Sequence, residues 1–149
     1  MICPYCNNGT KIYNSRSVQE KTQTWRRHRC QKCLKCFTTK ERIDWNGTVY
    51  VKAKSSTIPY SRERLLLSLL HASINLAPPL GALSDLTDTV ERELQKQGFF
   101  SSPTQSTQTI IQVTTNVLHR YDPNMALQYV NNVYSNKPPL ELIKQLVAV

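Results

Sequence analysis

The chain has 149 residues, room for one ordinary domain or for a small module joined to a medium one. No stretch reaches the ~20 apolar residues of a membrane span and no signal-peptide pattern follows Met1, so a cytoplasmic protein is expected, in which the five cysteines read as thiols or metal ligands and not as disulfides. The net charge of +9 sits in the first third: residues 1–54 carry 12 Lys/Arg against 3 Asp/Glu, while residues 55–149 carry 7 of each, and charge concentrated in this way points to a polyanion, nucleic acid first.

Residues 1–42 hold all five cysteines and the short β-prone runs Lys11-Ile12-Tyr13 and Phe37-Thr38-Thr39. A module this small buries little apolar surface and needs a metal or cross-links. Cys3-Pro4-Tyr5-Cys6 and Cys30-Gln31-Lys32-Cys33 are two CxxC turns separated by 23 residues. Zinc takes four soft ligands at tetrahedral corners, and a CxxC turn delivers two thiolates to one metal. Two turns close a structural site with no position left for water or substrate. Cys36 leaves the second pair open, Cys30/Cys33 or Cys33/Cys36. A redox pair or an iron–sulfur site is the competing use, but the βαβ context of a thioredoxin-type motif is absent. Beside the cysteines lie Arg16, Arg26, Arg27, Arg29, Lys32 and Lys35. Arginine forks onto phosphates and onto the acceptor edge of guanine. Strand alternation puts Arg27 and Arg29 on one face and Arg26 and His28 on the other. Trp25 reads as packing within the ribbon.

Residues 43–60 read as a strand or hairpin: Thr48-Val49-Tyr50-Val51 follows the turn signal Asn46-Gly47, and Thr57-Ile58-Pro59-Tyr60 pairs back. A first helix is predicted from Ser61 as N-cap, with Leu65, Leu66, Leu69, Leu70 and Ile74 toward a core, ending at Pro78-Pro79. A second runs from about Ser84 to Lys96 on Leu86, Val90 and Leu94, with Gly98 to terminate it. Phe99 to Ser106 reads as a loop. A third helix takes Ile110, Ile111, Val113, Val117 and Leu118 inward. Asp122-Pro123 opens a fourth bearing Met125, Val130, Val133 and Tyr134. A short last helix after Pro138-Pro139 presents Leu142, Ile143 and Leu146.

The first third resembles the bacterial NrdR family of ribonucleotide-reductase repressors. The resemblance rests on Cys3-Pro4-Tyr5-Cys6, on Asn14-Ser15-Arg16 where the family has Asp-Ser-Arg, on the run from Trp25 to Cys33, and on Phe37-Thr38-Thr39-Lys40-Glu41. It implies a zinc ribbon whose second pair is Cys30/Cys33, and a basic residue in the family where this chain has Cys36. The remainder is similar to the family's nucleotide-binding ATP-cone. Tyr50-Val51-Lys52, Pro59-Tyr60 and Ser61-Arg62-Glu63-Arg64-Leu65 stand at its hallmark positions, and Val133-Tyr134 matches a Val-Tyr near its end. The cone's Gly, a basic residue and an acidic residue fall on Ser55, Ala53 and Ile58, and a late Tyr falls on Leu127. No Walker A or Gly-x-Gly-x-x-Gly motif is present, so nucleotide binding is implied by the resemblance alone.

The fold expected is α+β: a rubredoxin-like zinc ribbon with a small antiparallel sheet over residues 1–45, a mainly helical ATP-cone with a short β-hairpin over 46–139, and a C-terminal helix over 140–149. Cys3, Cys6, Cys30 and Cys33 are the expected ligands of one Zn2+ per chain. Arg16, Arg26, Arg27 and Arg29 are expected to contact double-stranded promoter DNA. The resemblance implies Val51, Lys52 and Arg64 at an ATP or dATP site, a homo-oligomer, and a nucleoid-associated repressor of ribonucleotide reductase genes. No enzyme is expected, since His28, His71 and His119 are scattered and no nucleophile has a base at recognisable spacing. The rival reading is a zinc-ribbon adaptor for RNA or protein, with a helical domain that binds no nucleotide.

Overall fold

The computed structural model describes residues 1–18, 22–53, 56–76, 78–135 and 139–140. The expected last helix, with Leu142, Ile143 and Leu146, and the position of Ser55 lie outside them. The chain divides into two compact units, Met1–Asp44 and Trp45–Val149, each described by itself below.

The first unit is an antiparallel sheet of β1 (Thr10–Val18), β2 (Gln23–Cys30) and β3 (Cys36–Arg42) in the order β1-β2-β3. Both β-prone runs of the sequence fall inside its strands. Among its described residues the buried ones are Cys3 and Cys30 together with Gln23 and His28. Thiols occupy the place where a larger domain would bury aliphatic side chains. A β-bulge at Tyr13 interrupts the β1–β2 ladder, which runs Ile12↔His28 and then Asn14↔Arg27.

Among its described residues the second unit combines a small sheet with four helices. β4 (Tyr50–Lys52) pairs antiparallel with β5 (Thr57–Pro59) and parallel with β6 (Thr104–Ser106). The hairpin follows the predicted turn, where Gly47 adopts φ 70°. The helices are α1 (Arg62–Ser73), α2 (Leu80–Lys96), α3 (Thr107–Tyr121) and α4 (Pro123–Val133). Ser61, Ser106 and Asp122 cap α1, α3 and α4 with their side-chain oxygens, satisfying backbone N–H groups that a helix start leaves unpaired.

Four features differ from the sequence reading. Leu70 and Ile74 are exposed (37% and 66%), because Leu65, Leu69 and Ala72 form the buried stripe and α1 ends before Ile74. Val133 is likewise exposed at the end of α4. α2 begins at Leu80, about one turn early: Pro79 takes the N-cap position without a side-chain hydrogen bond, so no Ser, Thr, Asp or Asn marks the start. The expected loop after Gly98 contains a 3-10 turn at Phe99–Ser101 and then β6. Phe99 is buried in the core with Val90, Leu94, Leu118 and Val130, and Phe100 stacks on Trp45 at 4.1 Å.

A buried polar cluster joins the hairpin to the helices. The Arg62 guanidinium is ion-paired with both Asp88 and Glu91 of α2, all three nearly inaccessible. Tyr60 donates its hydroxyl to Glu91 at 3.0 Å, and Asn46 Oδ1 accepts the Arg62 backbone N–H at 2.8 Å. Burial, with the Glu91 charge beside it, pushes the Tyr60 hydroxyl well above the ordinary phenol range.

Candidate metal centre and basic face

The two CxxC turns fold alike. In the first, the Asn7 N–H donates to the Cys3 carbonyl at 2.9 Å and the Cys3 N–H to the Asn8 carbonyl at 2.8 Å. In the second, the Lys32 and Cys33 N–H groups donate to Cys30 Sγ at 3.3 and 3.4 Å, and the Cys30 N–H donates to the Lys35 carbonyl at 3.0 Å. The residue after each turn, Asn7 or Leu34, has φ 56° or 59°, which reverses the chain and aims both sulfurs of a turn to one side.

These turns bring Cys3, Cys6, Cys30 and Cys33 together with all four Sγ atoms within 4.8 Å of one another. Cys3 Sγ lies 3.7 Å from Cys33 Sγ, and Cys6 Sγ 3.5 Å from Cys30 Sγ. A tetrahedron with Zn–S of about 2.3 Å has edges of about 3.8 Å. The sulfur set therefore has the size and donor chemistry of a structural Zn2+ site. The backbone N–H of Asn8 brings the Cys6 thiol down to about 6, against opposition from burial. The backbone N–H of Cys33 likewise lowers the Cys30 thiol below its ordinary range, with burial opposing. Cys33 is stabilised as thiolate by the Lys35 N–H, yet burial and the three neighbouring thiols together push it up to about 12. Four sulfurs this close cannot share so much negative charge unaided, and a dication relieves the conflict. Cys36 stands apart: it opens β3 opposite Arg29, and its thiol approaches the Leu34 carbonyl at 3.9 Å.

The strand register sorts the basic residues. Directly opposed residues share a face of the sheet, which gives the rows Lys11–Arg29–Cys36, Asn14–Arg27–Thr38, Arg16–Trp25–Lys40 and Val18–Gln23–Arg42. Six cations, Lys11, Arg16, Arg27, Arg29, Lys40 and Arg42, therefore stand on one face, all on exposed residues. Among the described residues of these rows there is no Asp or Glu. The other face carries Arg26 in the row Ser15–Arg26–Thr39 and Glu41 beside it, and Arg26 is ion-paired with Glu41. His28 is buried there, stacked on Phe37 at 5.0 Å with its Nε2 2.9 Å from Thr39 Oγ1. Three of the four sequence-selected arginines thus share a face and Arg26 does not.

Lys11, Lys40 and Arg42 were not selected from the sequence. Lys40 and Arg42 have the strand parity of the basic face and could have been found once the register was known. Lys11 could not. It and Arg16 are of opposite parity, and an unbroken strand would put them on opposite faces. The extra residue Tyr13 corrects the parity.

The expected nucleotide residues divide between two adjoining hollows of the second unit. Val51 and Arg64 line a cavity of about 220 Å³ with Pro59, Tyr60, Leu65, Ile110 and Tyr129. Lys52 opens instead onto a cleft of about 580 Å³ with Ser106, Gln108, Val133 and Tyr134. Ala53 and Thr107 border both. Thr107 Oγ1 donates to the Lys52 carbonyl at 2.8 Å, which fixes β4 against the start of α3.

No helix among the described residues is long and apolar enough to cross a membrane. Residues 1–41 match the family described as the transcriptional repressor NrdR-like N-terminal domain, a zinc ribbon. Proteins named transcriptional repressor NrdR from Bacillus mycoides, Bacillus cereus and Bacillus anthracis are each 36% identical to the chain over 99 residues, 66% of its length. The matched region spans 65% of the length of each relative. With four clustered cysteines at the ends of a three-stranded ribbon, residues 1–41 form an NrdR-like zinc-ribbon domain, and the similarity to NrdR repressors runs past it into the second unit.

Proposed function

We propose that the chain is a zinc-dependent, DNA-binding transcriptional repressor whose target genes encode ribonucleotide reductase. The observation that carries the reading is the placement of six cations on one face of a ribbon whose cysteine knuckles have the geometry of a zinc site. Cys3, Cys6, Cys30 and Cys33 would hold one Zn2+ per chain, and the metal would supply structural cross-linking, not chemistry. Arg16, Arg27 and Arg29, joined by Lys11, Lys40 and Arg42, contact phosphates and base edges of double-stranded DNA. Arg26 reaches the DNA only by leaving Glu41, and otherwise ties β2 to β3. Repression by such a protein requires no bond-making step.

Residues 46–139, within the second unit, are the ATP-cone in this reading. The cavity bordered by Val51 and Arg64 suits a base, with Pro59, Leu65 and Ile110 supplying apolar walls. The adjoining cleft offers Lys52 to the phosphates. ATP and dATP would favour different homo-oligomers, and only some oligomers would present two ribbons at the spacing of paired operators. The protein works in the cytoplasm, on the nucleoid.

Binding of the zinc-loaded chain to its promoter duplex, to random duplex and to RNA across a salt series tests the reading. Six phosphate contacts at roughly −0.9 each give a log–log slope of about −5. Equal affinity for random duplex in every nucleotide state, or a preference for RNA, overturns it. Calorimetry with ATP and dATP tests the second unit separately, and no heat with either removes the nucleotide from the scheme.

A further inference from the structure

Trp25 lies at the centre of the basic face. It is half-buried, sits directly between Arg16 and Lys40 in the strand register, and carries the Arg16 guanidinium over its ring, 4.8 Å from the centroid. The second tryptophan of the chain packs on Phe100, so the two indoles serve different ends. Trp25 is not among the fully buried described side chains of this unit, Cys3, Gln23, His28 and Cys30, so part of its indole stays open on the basic face.

The bulge explains how the stack arises. With an unbroken ladder continuing from Ile12↔His28, Ser15 would stand opposite Trp25. Arg16 would then stand opposite Thr24 on the far face, in the row that ends at Glu41. The extra residue at Tyr13 moves Arg16 one place along and through the sheet, onto the indole. A guanidinium laid flat on an aromatic face keeps its N–H edge free for an acceptor while losing little side-chain freedom when it binds. Arg27 stands one row away on the same strand as Trp25, so the stacked guanidinium is held beside a second one.

We infer that Trp25 is a positioning residue for nucleic-acid recognition, fixing Arg16 with its donor edge outward so that Arg16 and Arg27 meet an acidic backbone as a prearranged pair. The inference rests on the DNA-binding reading above. It assigns Trp25 no contact with the bases.

The test uses the zinc-loaded full chain and a mixed-sequence DNA duplex, with affinity read by fluorescence anisotropy. Trp25→Leu is expected to weaken binding roughly three- to fivefold, the order of one exposed cation–π contact, while zinc stays at one per chain. Trp25→Tyr, which keeps an aromatic face, is expected to retain most of the affinity. Arg16→Gln weakens binding, and adding Trp25→Leu to it costs nothing further. In the unbound chain the Arg16 Nε–H proton is shifted upfield of those of Arg27 and Arg29 by the indole ring current. Absence of that upfield shift overturns the proposal whatever the variants do, including a Trp25→Leu that fails to fold. Losses that multiply in the double variant also overturn it, and leave the DNA-binding reading intact. A wild-type chain with no salt-dependent DNA binding overturns both.

Discussion

Asn7 and Leu34 occupy the same place in the two knuckles, immediately after the second cysteine, and both have left-handed backbone, φ 56° and 59°. Asparagine tolerates this region; for leucine it costs about 1–2 kcal/mol. The Leu34 side chain is 59% exposed and gains little packing in return. Leu34→Gly is therefore expected to stabilise the zinc-loaded ribbon by about 0.5–1 kcal/mol, the strain relieved less the greater freedom of glycine in the unfolded chain. Asn7→Gly should change stability by a few tenths at most. Thermal melts of the two variants side by side would show the asymmetry, and equal shifts would refute the strain argument. A second expectation concerns the cysteines: Cys36→Ser keeps one zinc per chain by metal analysis, whereas Cys3→Ser and Cys33→Ser lose it. The spacing alone could not separate Cys36 from Cys30 as partner of Cys33, because both pairs are CxxC. What distinguishes them in the fold is that β3 starts at Cys36, which commits that residue to a ladder opposite Arg29.

At the scale of elements, the second unit depends on a polar joint that no motif announces. Arg62, Asp88 and Glu91 are each more than nine-tenths buried, and they bind α1 to α2 with Tyr60 attached from the end of the hairpin. Arg62→Met leaves two carboxylates facing each other in a dry site. The expected loss is about 3–5 kcal/mol, the usual consequence of removing one partner from a buried ion pair. Adding Asp88→Leu and Glu91→Leu to Arg62→Met should recover most of it, since no charge then remains unpaired. Urea unfolding of the single and triple variants decides the matter; a single variant within 1 kcal/mol of wild type, on the scale of an ordinary surface change, would show the cluster to be solvated. Helices α1 and α4 were legible from the local cap signals at Ser61 and Asp122, and α3 from the helical spacing of its apolar residues, its cap at Ser106 lying in a stretch that reads as loop. The joint was not, because Arg62 looks like one more surface cation in a run with Glu63 and Arg64. The strand Thr104–Ser106 was equally hidden. It is short and polar, and its parallel pairing with Tyr50–Lys52 joins residues more than fifty positions apart.

For the whole molecule, the two units rest on different physics. Trp45–Val149 has an apolar core running from Val49 through Leu69, Val90 and Leu118 to Val130. Met1–Asp44 buries two thiols, a glutamine and a histidine, too little apolar surface to offset the entropy of ordering the chain. Its stability must come from the metal, because binding free energy at a site that exists only in the folded state is folding free energy. Chelation of zinc is therefore expected to unfold one unit and spare the other. Titration with a strong chelator, followed by amide NMR, should collapse the dispersed signals of residues 1–44 into the random-coil region. Those of α1 to α4 should keep their positions, and far-UV circular dichroism should lose β signal with helical signal preserved. DNA binding should vanish in the same step, since the six cations share a face only while the bulged register holds, and restoring zinc should bring both back. If the ribbon signals stay dispersed without metal, the cysteines are not the core of this unit. If the helical signals collapse with them, the two units do not fold independently, and the division between a metal-built ribbon and a self-standing helical domain fails.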